Sequence, residues 1–162
     1  MPRRHSLRTR VAATAAAIAV TSAGIVGLST ATAGEANAAT EHALNGCVGL
    51  SPNIVDIPFW PRRAIVAQYA GQTYISVDFP SYWLFVGYRS DARLDWHNTR
   101  TNKRGVLRST EQVRPPYQGV HDFVIPTNAI GRGNVNVTLS ATNSNALWSI
   151  PSIPCSGTIV VR

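Results

Sequence analysis

Cysteine is scarce in this chain, which has only two cysteines in 162 residues. Cys47 and Cys155 lie far apart, so they form neither a Cys-x-x-Cys redox pair nor a zinc-ligand spacing. Two cysteines also exclude a scaffold held together by several disulfides. Two widely separated cysteines suit a structural staple better than a redox pair, and we predict a Cys47–Cys155 disulfide.

The motifs of common enzyme and metal sites are also missing. The chain contains no Gly-x-Ser-x-Gly elbow, no His-Glu-x-x-His, no glycine-rich phosphate loop and no Asp-rich calcium loop. These absences argue against the hydrolases, metalloproteases and NTPases that such motifs define. We predict a protein that is not an enzyme, with no catalytic residues, no metal site and no cofactor.

Helical periodicity is absent after residue 38, because Pro or Gly interrupts every apolar pattern of helical spacing. Short stretches rich in Val, Ile, Tyr and Phe instead alternate with polar residues, which is typical of strands with one face in the core. We predict an all-β sandwich of about seven antiparallel strands. The predicted strands are Ala64–Gln68, Thr73–Phe79, Ala92–Asn98, Val106–Thr110, Val120–Ile125, Asn134–Thr142 and Gly157–Arg162.

Trp96 lies within one predicted strand, before a hairpin whose polar turn contains Asn102 and Gly105. Both of these residue types tolerate the positive φ that tight turns require. A lone inward-facing Trp at this place resembles the core Trp of an immunoglobulin-like sandwich. The resemblance implies an immunoglobulin-like arrangement of strands and carries no function with it.

The N-terminus has the composition of an export signal. Four arginines precede the uncharged stretch Val11–Gly34, and Ala36-Asn37-Ala38 provides small residues for a signal peptidase. We therefore predict a signal peptide at 1–38, an N-terminal extension with the first cysteine at 39–63, and a β-sandwich domain at 64–162. The predicted location is extracellular, with possible association with a bacterial cell envelope and no membrane span after cleavage.

Two alternatives to simple secretion remain open. The stretch Val11–Gly34 is long enough to cross a bilayer of about 30 Å, although Ala, Thr, Ser and Gly dominate it. Leu44-Asn45-Gly46-Cys47 resembles a lipobox, which would make the protein a surface lipoprotein anchored through Cys47.

The positive charge of the whole chain is inflated by the leader. The net charge is +7, but four of the 15 basic residues and one of the 8 acidic residues precede Ala39, which leaves a net charge of +4. This modest excess argues against nucleic acid as a partner. The basic turn formed by Arg100, Lys103 and Arg104 is a candidate contact for an anionic envelope polymer.

Aromatic residues in irregular, Pro-bounded segments are the main candidates for ligand contact. Trp60, Tyr82, Trp83 and Trp148 lie in such segments, and loops at the ends of a sandwich often carry binding sites. Flat rings there suit a sugar or the centre of a protein interface. Burial in the core is the alternative for each ring. The predicted partner is an extracellular protein or a glycan.

A catalytic alternative rests on Asp95 and His97, which are two residues apart and therefore share one face of a strand. A secreted hydrolase would use them as a dyad, but Trp96 between them is expected to be buried, which places both in solvent. His121, in phase with Phe123 and Ile125, is predicted to be a core histidine with a hydrogen bond. A metal site of His97 and His121 would require neighbouring strands.

Mass spectrometry of the exported protein tests the leader and the disulfide together. We expect a chain that starts at Ala39 and is lighter than its reduced form by the mass of two hydrogen atoms. A chain that starts at an acylated Cys47 would instead establish the lipoprotein.

Overall fold

The computed structural model describes residues 37–53, 60–79, 87–114 and 119–162. They form two antiparallel sheets and a single helical turn. The elements are β1 (Asn37–Ala43), β2 (Arg63–Tyr69), β3 (Gln72–Phe79), β4 (Tyr88–Asn98), β5 (Arg104–Val113), β6 (Gly119–Pro126), α1 (Thr127–Ile130), β7 (Gly133–Ser144), β8 (Ser149–Pro151) and β9 (Cys155–Val161). The prediction of an all-β protein is confirmed. Among the described residues, no helix has the length and apolar character of a membrane span.

Four strands form the first sheet in the order β1-β2-β3-β6, and five strands form the second. In the second sheet β4 lies between β5 and β7, while β8 and β9 both pair with β7. The two sheets meet along both sides, since β5 lies beside β6, and β1 and β2 lie beside β9.

The core lies between the two sheets and follows the predicted alternation. Ile75, Val77 and Phe79 of β3 are buried, as are Val135 and Val137 of β7. They belong to one hydrophobic cluster that draws on both sheets. Each such side chain contributes roughly 1.5–3 kcal/mol on burial, which makes this shared core the main source of stability.

All seven predicted strands are present, as β2 to β7 and β9, but β1 and β8 were missed. β1 has the sequence Asn-Ala-Ala-Thr-Glu-His-Ala, and none of its described side chains is fully buried. An edge strand of this kind has no apolar face, so its sequence shows no alternation of apolar and polar residues that would predict a strand. β8 is only three residues long and ends at Pro151.

The hairpin between β4 and β5 is present, but one of its two predicted turn residues has another role. Asn102 has a φ of 56°, as the turn prediction requires. Gly105 instead lies in β5, directly opposite the buried Trp96. A Cβ atom at this glycine would lie 2.8 Å from the Trp96 ring, so the glycine makes room for the indole.

Asn98 joins the ends of the two sheets at the hairpin end of the molecule. Its Nδ2 donates to the carbonyl oxygens of Ile130 (3.0 Å) and Gly131 (2.9 Å), just after α1. Its Oδ1 accepts from the backbone N–H groups of Arg100 (2.9 Å) and Thr101 (3.0 Å). One buried amide therefore fixes the β4–β5 turn against the connection from β6 to β7.

We expect Gly105→Ala to destabilise the protein by about 1–3 kcal/mol, because the added methyl group overlaps the Trp96 ring in a packed site. Urea denaturation followed by tryptophan fluorescence measures the change. Val106→Ala, at the exposed neighbouring position, is the control and should cost much less. Equal losses for both variants would show that the indole does not depend on this glycine.

Candidate binding surface at the disulfide end

The predicted disulfide is present and joins Cys47, which precedes β2, to Cys155 at the start of β9. It closes a loop with a sequence separation of 108 residues. For a loop of about 100 residues, the loss of chain entropy in the unfolded state is worth about 4.7 kcal/mol. The bond therefore fixes the segment before β2 to the last strand.

Backbone pairing continues on both sides of the disulfide. Asn45 and Ser156 exchange two hydrogen bonds of 2.9 and 3.0 Å. The N–H of Ile153 donates to the carbonyl oxygen of Val48 at 2.8 Å. Residues 45–48 thus run antiparallel to residues 153–156 as an ordered pair of segments.

Five large apolar side chains are exposed on these segments, on residue 50 just beyond the first of them, and on the β7–β8 connection. We call this set the apolar surface: Val48 (45% exposed), Leu50 (63%), Leu147 (78%), Trp148 (47%) and Ile153 (63%). Single exposed apolar residues are common, but a group of large ones at one end of a domain indicates a contact site.

Asn145 fixes two members of this surface. Its Oδ1 accepts from the backbone N–H groups of Leu147 (2.8 Å) and Trp148 (2.9 Å). Its Nδ2 donates to the carbonyl oxygen of Pro52 (2.9 Å) and to Oδ1 of Asn53 (3.2 Å). Residues 147–148 and 52–53 are therefore held in place before any partner binds, which lowers the entropy cost of binding.

A chain of buried hydrogen bonds crosses the core towards this end. The Ser90 hydroxyl donates to Oδ1 of Asn143 (2.7 Å), so its oxygen accepts from Nε2–H of His121 (2.9 Å). Nδ1 of His121 then accepts from the Ser109 hydroxyl (3.2 Å), and Nδ2 of Asn143 donates to the Leu50 carbonyl oxygen (3.5 Å). The Ser90–Asn143 bond therefore places a proton on Nε2 of His121, and Nδ1 accepts from Ser109 when the imidazole is neutral.

This series of hydrogen bonds includes a contact between Ser90 and His121, but the contact lacks the geometry of a catalytic pair. A nucleophilic Ser donates its hydroxyl proton to the His, whereas the Ser90 hydroxyl donates to Oδ1 of Asn143. Ser90, His121 and Asn143 are each fully buried, so a substrate has no access to them. The prediction of a core histidine with a hydrogen bond is confirmed.

Burial lowers the pKa of His121 to about 4, and the nearby carboxylates of Asp91 and Asp122 offset only part of this effect. Charging the imidazole would require a second proton on Nδ1, where Ser109 now donates. The folded state therefore excludes the charged form near neutral pH.

Asp95 and His97 do share the outer face of β4, but they have separate partners. Asp95 accepts two hydrogen bonds from Arg93 (2.6 and 2.9 Å). His97 contacts Oδ1 of Asn102 through Nε2 at 2.9 Å. His97 and His121 lie on β4 and β6, which belong to different sheets, so the hypothesis of a metal site on neighbouring strands is wrong.

The predicted contact residues divide into three groups. Trp60 (46% exposed) and Trp148 are both accessible, and the Arg62 guanidinium lies 4.0 Å from the centre of the Trp60 ring. Tyr82 and Trp83 lie outside the described residues.

The basic turn forms the third group and is partly structural. Nε of Arg100 donates to the carbonyl oxygen of Arg132, and Nζ of Lys103 donates to that of Asn128, both at 2.9 Å. Arg104 donates to Asn102 at 3.3 Å. Two of the three cations therefore help to hold the connection between β6 and β7.

Sequence analysis missed most of the residues that build this site. Asn145 and Ser90 carry no motif, and their roles depend on contacts with residues distant in the chain. Leu147 and Ile153 were not predicted, because only aromatic residues in irregular segments were taken as contact candidates. Both flank a Pro- and Ser-rich segment, which is a signal for a loop.

No family model, curated protein or solved structure matches this chain. The function therefore has to be argued from the residues and their geometry.

His121 should make the stability depend on pH. Its pKa is lower in the folded state than its value of 6.5 in the unfolded chain, so the unfolded chain binds the proton more readily. Its contribution is present above about pH 6.5 and is lost as the pH falls towards about 4. We expect the free energy of unfolding to fall by roughly 2 kcal/mol between pH 7 and pH 5.

Denaturant titrations across this pH range measure the loss, and His121→Gln should flatten the profile. Burial and the nearby Arg162 also lower the pKa of His42, so His42 should add to the loss of stability at low pH. His42→Gln is the control that measures this separate effect. Proton NMR gives a direct check on the unaltered protein. A His121 imidazole that titrates near 6.5 would contradict the assignment.

Proposed function

We propose that this protein is an exported, non-enzymatic β-sandwich of immunoglobulin-like type that binds another protein at or outside the cell envelope. The apolar surface at the disulfide end is the proposed contact. The observation that carries this proposal is the exposure of five large apolar side chains on segments that a disulfide and Asn145 hold in place.

Export is supported by two independent features. The leader has a basic start, an uncharged stretch and a small-residue cleavage site. The Cys47–Cys155 disulfide suits an oxidising compartment. It also argues against the lipoprotein alternative, because lipidation would need the Cys47 sulfur that the disulfide uses.

The strand order supports the immunoglobulin-like assignment. In that fold the strands called B and E are neighbours in one sheet, and C and F are neighbours in the other. The same interlocking is found here, with β3 beside β6 and β4 beside β7. Trp96 lies on β4, which corresponds to strand C and its core Trp.

Two departures distinguish this chain from antibody domains. β5 pairs with β4, whereas the strand that precedes E in a constant domain pairs with E. The disulfide joins the segment before β2 to β9, and does not link the two inner strands. The correspondence is therefore one of architecture.

A protein partner fits the apolar surface better than a sugar does. Four of its five members are aliphatic, and these side chains offer neither a flat ring nor a hydrogen bond to a hydroxyl group. Protein interfaces are centred on such apolar groups together with an aromatic anchor, a role that suits Trp148. The hydrolase alternative is less favoured, because Arg93 and Asn102 already engage Asp95 and His97.

Retention on isolated envelope fragments tests the proposal. We expect Leu147→Ala and Trp148→Ala to lower retention of the oxidised protein by at least about fivefold, as is usual for central interface residues. Their melting temperatures should stay within a few degrees of the unaltered protein, because both side chains are exposed. Tyr69→Ala, which removes a 57% exposed ring from the opposite end, is the matched control.

The kind of partner is tested on the same fragments. Digestion of the fragments with a protease beforehand should abolish retention if the partner is a protein. Retention that survives digestion, or equal binding to protein-free phospholipid vesicles, would refute a protein partner. A concentration-dependent dimer that Leu147→Ala dissociates would identify a second copy as the occupant and would also overturn the proposal.

A further inference from the structure

The outer face of the second sheet is polar along three adjacent strands. We call it the polar face. Its outward side chains come from alternate residues of β4 (Arg89 to His97), β5 (Arg104 to Gln112) and β7 (Asn134 to Ser144), and all of them except Val106 are polar or charged. No Phe, Tyr or Trp is among these positions, and the structure describes all three strands completely.

Two Arg–Asp pairs repeat along β4. Arg89 donates through Nε and Nη2 to both carboxylate oxygens of Asp91, at 2.8 and 2.9 Å. Arg93 does the same with Asp95, at 2.9 and 2.6 Å. Because each fork is bidentate, the planes of the guanidinium groups are fixed while their other N–H groups remain available.

A like-charge pair stands across the centre of this face. Arg93 lies directly opposite Arg108 on β5, an arrangement that destabilises a sheet. Asp95 compensates Arg93, but Arg108 forms none of the four ion pairs found among the described residues. A bound anion would relieve the repulsion at this position.

Hollows flank the Arg93–Asp95 pair on either side. One hollow of about 400 Å³ is lined by Arg93, Arg108, Thr110 and Ser140, among others. The other has about 330 Å³, and its lining includes Asp95 and Arg104. From Arg89 to His97 the face extends along β4 for about 27 Å, at roughly 3.4 Å per residue.

We infer that the polar face binds an anionic polymer rich in hydroxyl groups, whose oxyanion lies between Arg93 and Arg108 and whose hydroxyl groups bond to the Ser, Thr, Asn and Asp side chains around them. Arg forks suit a carboxylate or a phosphate, and Asp91 and Asp95 accept from sugar hydroxyls. This site is separate from the apolar surface and does not depend on a protein partner there.

The balance of charge favours a sparsely charged polymer with many hydroxyl groups. The face has four arginines against two aspartates, whereas a nucleic acid carries one charge per about 1.7 Å and would repel the carboxylates. Single strands also need a series of aromatic rings on which successive bases stack, whereas this face offers only His97 and the Trp96 indole that lines the second hollow. An acidic peptide would leave the row of hydroxyl and amide groups on β7 without partners.

Affinity electrophoresis of the oxidised protein tests this inference with defined polymers. We expect polygalacturonate, which carries carboxylates, or poly(glycerol phosphate), which carries phosphates, to retard the protein. The polymer with the stronger effect identifies the oxyanion that the site prefers. Neutral dextran and poly-L-glutamate should have little effect. Retardation by neither anionic polyol, or equal retardation by poly-L-glutamate, would overturn the inference.

Variants of Arg108 separate binding from structure. Arg108→Gln should weaken binding about tenfold, the usual loss for a hydrogen-bonded charge, while the melting temperature of the free protein stays the same or rises as the repulsion is removed. Arg108→Lys keeps the charge without the fork and should be intermediate. Arg63→Gln removes the same charge from β2 in the first sheet and should leave binding unchanged. Equal effects of Arg108→Gln and Arg63→Gln on binding would refute a specific site.

Discussion

The buried hydrogen-bond chain through His121 is the constraint on which this fold depends. It begins at Ser109 on β5, crosses to β6, returns to β4 and β7, and ends on the segment that carries Leu50. An apolar core tolerates small shifts between two sheets, but buried polar groups lose their partners when a strand slips. These hydrogen bonds therefore favour one register of the strands in both sheets, and one position of the disulfide-linked segment, over shifted alternatives.

The molecule has two surfaces of opposite character, and different physical forces form each of them. The apolar surface lies on connections that a disulfide, backbone pairing and side-chain amides hold in place, notably Asn145. The polar face lies on regular strands, where the pleat itself spaces the Arg and Asp side chains. Because different residues form them, both surfaces could be occupied at the same time.

The sequence was a good guide wherever a strand has one face in the core. Alternation located β3 and β7, and it placed Trp96 and His121 inside, because burial imposes period two on the residues themselves. It failed for β1, whose pairing uses backbone groups that every residue type carries and one exposed ion pair, between Glu41 and Arg63 of β2. Gly105 was wrongly predicted as a turn residue. The sequence does not distinguish a glycine that leaves space for a neighbouring ring, here that of Trp96, from a glycine that adopts a positive φ in a turn.

The sites were less accessible to prediction than the fold. The cysteines could be paired because there are only two of them. The Arg93–Arg108 juxtaposition, by contrast, is a matter of register between strands, which no local pattern records. Trp148 was selected as an aromatic residue in a loop, yet its aliphatic neighbours across the disulfide could be identified only once residues 45–48 and 153–156 were paired.

The proposed cleavage after Ala38 falls inside β1, which begins at Asn37. The register of β1 with β2 is irregular between Asn37 and Thr40 and regular from Thr40 to Ala43. Removal of residues 37 and 38 would therefore take away only the pairing of Asn37 with Gln68, and the four pairs from Thr40 to Ala43 would remain. The proposed mature protein would keep β1 as a shorter edge strand of the first sheet.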